Sequence, residues 1–74
     1  MRRRVAAVVL AAVGCALAER ELWGKARVLL EQAAASTELG NAQRRHAWLL
    51  LARLAEQQSA AERAADCYQA AANL

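Results

Sequence analysis

One histidine (His46), two cysteines (Cys15 and Cys67) and seven carboxylates are the side chains from which acid–base, nucleophilic or metal chemistry would have to be built. Catalysis in so short a chain needs a nucleophile, an acid–base pair or a metal gathered in one pocket. Cys15 and Cys67 stand far apart, with neither a Cys-x-x-Cys pair nor metal-ligand spacing, so neither a disulfide framework nor a structural zinc site is indicated. Glu19, Glu21, Glu31, Glu38, Glu56, Glu62 and Asp66 are scattered, and Glu19 and Glu21 are too close in sequence to face one another across a cleft. His46 has no evident second ligand or aromatic pocket that would suit haem, and reads as a surface or partly packed residue. The cysteines fall on predicted helices and read as small hydrophobic side chains. Glycine-rich phosphate loops are missing. The expectation is a protein that is not an enzyme and uses no cofactor or metal.

The elements that would position these residues follow from composition. Of 43 hydrophobic residues among 74, 21 are Ala and only 16 are Leu or Val, so the apolar fraction overstates the core. Alanine favours helix strongly but buries little apolar area. Proline is absent and β-branched residues are few, which argues against an all-β fold. The net charge of +3 comes wholly from Arg2, Arg3 and Arg4. Elsewhere basic and acidic side chains balance, and the one further basic cluster, Arg44-Arg45-His46, reads as solvated surface. Nucleic-acid binding needs a clustered basic face and is not expected.

Apolar spacing of three and four predicts four helices, over residues 5–18, 21–36, 42–57 and 60–72. The first is apolar nearly all round, hence expected to be buried on more than one side. The second carries Leu22, Ala26, Leu29, Leu30 and Ala33 on one stripe. The third carries Trp48, Leu51, Ala52 and Ala55, and the fourth Ala64, Tyr68 and Ala71. Gly40 reads as a C-terminal stop or loop glycine. Ser59-Ala60-Ala61-Glu62 reads as a capping box for the fourth helix. Trp23 reads as packing between hairpins, with a binding hot spot as the sharper alternative. Short breaks between helices make each an antiparallel neighbour of the next.

Residues 1–18 admit a second reading. The basic start, the uncharged run Val5–Ala18 and the small residues Ala16-Leu17-Ala18 have the order of a secretory leader. Ala12-Val13-Gly14-Cys15 loosely matches a lipoprotein box. A small exported protein or lipoprotein with a signal peptide at 1–18 is therefore the alternative, whereas the uncharged run is too short for a comfortable membrane-spanning helix.

The two halves of the chain align at an offset of 38 positions. Leu10, Val13, Gly14 and Leu17 pair with Trp48, Leu51, Ala52 and Ala55. Ala26, Leu30 and Ala33 pair with Ala64, Tyr68 and Ala71. Small residues at Gly14, Ala26, Ala52 and Ala64 let helices approach closely. This pattern resembles the tetratricopeptide repeat (TPR). The resemblance implies an all-α fold of two antiparallel helical hairpins, part of a right-handed solenoid, with repeat 1 at about 7–40 and repeat 2 at about 45–74 in a single domain. The family's usual period is about 34 residues, so extra residues are expected around Thr37 to Gln43, and Glu38 stands where a proline is usual. Within this pattern Leu22-Trp23-Gly24-Lys25-Ala26 and the following Leu29-Leu30-Glu31 resemble a C-terminal segment of the HemY family. Ala47–Glu56 and Ala64–Tyr68 suit its next repeat. That resemblance implies a bacterial scaffold linked to haem (porphyrin) biosynthesis. The chain alone would be cytoplasmic, and inner-membrane-associated only through a HemY-like parent.

In TPR arrays the first helix of each repeat lines a groove. By this registry Val8, Ala11, Cys15 and Ala18, then His46, Leu49, Arg53, Glu56 and Gln57, are the candidate partner-binding residues. The expected partner is a protein: a peptide, a helix or a neighbouring repeat. Two repeats fall short of the roughly three a stable solenoid needs, so a homo-oligomer is expected in isolation.

Overall fold

Alanine and leucine dominate every segment that the computed structural model, which describes residues 3–74, shows as helix. The start of the arginine run, Met1 and Arg2, lies outside the described residues. The four helices are α1 (Arg3–Glu19), α2 (Trp23–Ala35), α3 (Asn41–Gln57) and α4 (Ala61–Ala72), with no strand among the described residues. No described helix is long and apolar enough to cross a membrane. Adding 38 to the bounds of α1 gives those of α3, and α2 maps onto α4 to within one residue. The internal repeat is thus a repeat of backbone as well as of side chains.

Both hairpins turn by the same device. Glu21 and Ser59 adopt positive φ, 60° and 58°, and are the only described non-glycine residues to do so. In the first turn the Leu22 N–H donates to the Leu17 carbonyl (2.9 Å) and the Glu21 N–H to that of Ala18 (2.9 Å). In the second the Ala60 N–H donates to the Ala55 carbonyl (2.8 Å) and the Ser59 N–H to that of Glu56 (3.0 Å). This is the Schellman closure, which satisfies the last carbonyls of one helix while reversing the chain into the next. Leu22 and Ala60 then begin α2 and α4 with nearly equal dihedrals, φ −87°, ψ 62° and φ −97°, ψ 72°.

Several expectations are corrected here. Ser59 does not form a capping box with Glu62: α4 has no side-chain cap, because Ser59 serves as the left-handed residue closing α3. Of the two readings of Gly40 the loop glycine holds and the stop does not: α2 ends at Ala35 with Ser36 beyond it, and Gly40 lies in the linker just before α3 with φ −68° and ψ 161°. α3 starts at Asn41, one residue earlier than expected. The linker at 36–40 is held down by Leu39, which is buried, and by the Glu38 N–H donating to Ser36 Oγ (3.2 Å).

α3 touches all three other helices: it packs on α4 and on α2, and only lightly on α1. α2 lies between α1 and α3, and α4 packs on α3 alone. Leu30 is the largest side chain enclosed completely, and Ala26, Ala33, Ala34 and Ala52 surround it in the core with no exposure of their own. Small residues do set the approach. A Cβ added at Gly14 would stand 3.2 Å from Leu30 Cδ2 and 3.3 Å from Leu29 Cβ. The molecule is a slab of 37 × 27 × 14 Å. A thickness of 14 Å accommodates two layers of helices at the usual spacing of about 8–10 Å. α1, expected to be buried on more than one side, packs on α2 and only lightly on α3, and Val5, Val8, Val9 and Val13 are exposed. Leu22 and Tyr68, expected in apolar stripes, are exposed as well, Leu22 because it sits in the turn and Tyr68 because no further helix covers it.

Candidate functional site

α1 and α3 run side by side, and three adjoining recesses open along them. The first, about 340 Å³, lies between Val8, Ala11, Ala12 and Cys15 of α1 and Ala42, Gln43, His46 and Ala47 of α3. The second, also about 340 Å³, is formed by His46, Leu49, Leu50, Arg53 and Tyr68. The third, about 590 Å³, is bordered by Ala18, Glu19, Glu21, Trp23, Leu50, Arg53, Glu56 and Gln57. His46 joins the first to the second, and Leu50 with Arg53 joins the second to the third. All nine residues assigned to the groove by registry therefore line one continuous surface. Ala18 differs from the others in being almost fully buried beneath it, since it is where α1 meets α3 and the first turn.

The repeat register explains the placement. A helix brings positions three and four apart onto one face. Val8, Ala11, Cys15 and Ala18 form such a row on α1, and His46, Leu49, Arg53 and Glu56 form the matching row on α3, 38 positions on. Ala12, Leu50, Trp23 and Tyr68 were not among the registry positions. Ala12 and Leu50 share the repeat offset and flank the row by one residue, a signal present in the sequence. Trp23 reaches the third recess from the first residue of α2 while also packing on the core. Tyr68 reaches the second from α4, a placement that only the tertiary arrangement reveals.

The chemistry changes along the surface. The first recess is apolar apart from Gln43 and His46. The third carries three carboxylates, Glu19, Glu21 and Glu56, against the single guanidinium of Arg53. Glu56 is held in place by the Tyr68 hydroxyl, which donates to its Oε1 at 2.6 Å. That bond, with desolvation and the Glu56 charge, pushes the Tyr68 phenol above its ordinary value, opposed by Arg53. Cys15 and His46 share the first recess, yet they do not make an activated thiol. Burial, then the charge of Glu19, pushes the Cys15 thiol up, and a nucleophilic cysteine needs the opposite. No group of three or more His, Cys, Asp or Glu side chains able to hold a metal occurs among the described residues.

The cluster Arg44-Arg45-His46 is not simply solvated surface, as expected, but divides by role. Arg44 Nε donates to the Ala34 carbonyl at 3.0 Å and Arg45 Nε to the Ala71 carbonyl at 3.3 Å. A second Arg45 nitrogen donates to the Leu74 carbonyl at 3.1 Å. Neither α2 nor α4 has a basic residue in its own last turn, so the two arginines supply from α3 the cations that complement those helix ends. Only His46 of the three turns to the groove.

The chain matches no protein-family model, no curated protein and no solved structure.

Proposed function

We propose that this chain is a non-catalytic interaction module of TPR type that holds a protein segment along the α1/α3 surface. The observation that carries the proposal is the continuity of the three recesses, apolar at one end and rich in carboxylates at the other. A peptide suited to it places an apolar side chain beside Val8, Ala11 and Cys15 and a lysine or arginine near Glu19, Glu21 and Glu56. Aromatic and apolar anchors supply most of the affinity in such sites, while charges set register and specificity. The coincidence of helix bounds at the repeat offset supports the TPR-type assignment.

Peptides selected from a displayed random library test this reading, with Trp23 fluorescence reporting on the acidic recess. Binding that weakens tenfold or more in Leu49→Glu and in a Glu19→Gln/Glu56→Gln double variant supports it. Selected peptides indifferent to both changes would refute it.

The link to haem biosynthesis is the narrower part of the proposal and rests on the resemblance of Leu22–Ala26 to HemY-like proteins. Loss of the coding segment should alter the porphyrin intermediates of the host, measured by fluorescence; an unchanged profile removes the link. Against the alternative of a leader at 1–18 stands the packing of α1. Gly14 seats directly on Leu29 and Leu30, and removing the helix would strip the cover from the one large side chain that is completely enclosed.

A further inference from the structure

The two repeats have the same backbone, so a position buried in one and exposed in the other marks a surface that a described helix covers once and leaves open once. On α3, Ala47, Leu51 and Leu54 are 1%, 6% and 3% exposed. Their equivalents on α1 are Val9 and Val13, 50% and 43% exposed, and Ala16, also exposed. α3 has a helix on that side, α2, and α1 has none. The second hairpin shows the reverse. Leu30 and Ala34 of α2 are 0% exposed, whereas Tyr68 is 41% exposed and Ala72 is open as well. α2 has α3 beyond it, and α4 has no further helix among the described residues. The chain thus carries both halves of its own internal interface a second time, one at each end, uncovered.

We infer that copies of this chain stack head to tail, the α4 face around Ala65, Tyr68 and Ala72 of one copy covering Val9, Val13 and Ala16 on α1 of the next. The contact repeats the α2–α3 packing through the same displacement that relates the two hairpins, and apart from Tyr68, which also borders the second recess, it uses no residue of the groove. Size is conserved across it: Tyr68 replaces the smaller Leu30, while Val13 and Ala16 replace the larger Leu51 and Leu54. Charge favours it too. In the internal interface the first turns of α3 lie against the end of α2, where Arg44 meets the Ala34 carbonyl. In the repeated contact the first turn of α1, with exposed Arg4, comes to the end of α4, where Arg45 already bonds the Ala71 and Leu74 carbonyls. A second cation there adds to the complement of the carbonyl end of the helix. Such an interface is heterologous: the two faces differ, so the assembly stays open at both ends and grows with concentration. Covering the α1 face also removes an exposed valine stripe from water.

Sedimentation velocity on the 8.0 kDa chain over a wide concentration range tests the proposal. Wild type should form a ladder of species that lengthens with concentration. Val13→Glu and Ala65→Glu each block one face, and each should be monomeric alone with unchanged helix content by circular dichroism. Mixed, they retain one live face apiece and should form a one-to-one dimer that grows no further. Val9→Glu repeats the α1 block should Val13→Glu unfold. A wild type that stays monomeric throughout overturns the inference. So does assembly that survives Ala65→Glu, because copies would then be pairing α1 to α1.

Discussion

Glu21 and Ser59 are the same residue of two successive turns: with φ of 60° and 58°, each closes one hairpin in the left-handed region. Neither is the glycine or asparagine that such a position favours. A side chain there costs about 1–2 kcal/mol, against about 0.5–1 kcal/mol for the greater chain entropy that glycine loses on folding. Glu21→Gly and Ser59→Gly should therefore each stabilise the fold by about 0.5–1 kcal/mol, read from urea midpoints at constant slope. A loss of stability in both would show that the turns are held by the side chains and not by the backbone closure.

Gly14→Ala sets two effects against each other. Alanine gains about 1 kcal/mol of helix propensity. The new methyl would meet Leu30 Cδ2 at 3.2 Å and Leu29 Cβ at 3.3 Å, and neither the enclosed Leu30 nor a Cβ tied to its backbone yields easily. Overpacking of this kind costs about 1–3 kcal/mol. The expected net is a loss of about 1 kcal/mol by urea titration, and a gain would mean that α1 and α2 separate freely.

Arg44→Met keeps the aliphatic stem and removes the 3.0 Å bond to the Ala34 carbonyl. It also removes the cation at the end of α2. The loss should be about 1–2 kcal/mol. Arg45→Met, at a more exposed site, should cost less. Thermal melts of the two variants give the order directly.

Tyr68 is the only tyrosine, so its ionisation can be followed by ultraviolet absorbance without overlap from another phenol. Its hydrogen bond to Glu56 raises its folded value above the ordinary 10.0. A raised value means that the bond contributes below the ordinary value and is lost as pH rises through the folded one. Wild type should titrate later than a denatured control, and Glu56→Gln should move the curve back toward it. Coincident wild-type and Glu56→Gln curves would contradict the bond.

Both thiols are free and both are pushed up by burial. For Cys15 the charge of Glu19 adds to burial; for Cys67 Arg63 opposes it, and Asp66 and Glu31 add to it. At neutral pH each should react with a disulfide reagent more slowly than in the denatured chain. Glu19→Gln should speed Cys15 modestly in a Cys67→Ser background. Labelling at the denatured rate would mean that α1 or α4 opens readily.

The helices were legible because alanine and leucine at spacings of three and four leave few alternatives, and the repeat was legible because backbone and side chains share one offset. The turns were not. Ser59 followed by Glu62 has the letters of a helix start, but a link of three residues must first reverse the chain, and closing α3 took precedence over capping α4. The arginines of α3 were hidden for a related reason. Their partners are carbonyls of helix ends 10 and 26 positions away, which no local pattern encodes. No described helix lies against Tyr68 or the α1 valines, and a periodic stripe reads the same whether or not something covers it.

Because the helix contacts join neighbours in sequence, apart from the slight one between α1 and α3, this chain can bury its apolar faces in the order of synthesis. α2 closes on α1 as soon as both have left the ribosome, and α3 then finds α2 already in place. No early segment waits for a distant late one, a local order that favours rapid folding. α4 rests on α3 alone and is the natural first element to detach under a pulling force, while α2 and α3, each held between two helices, should be among the last.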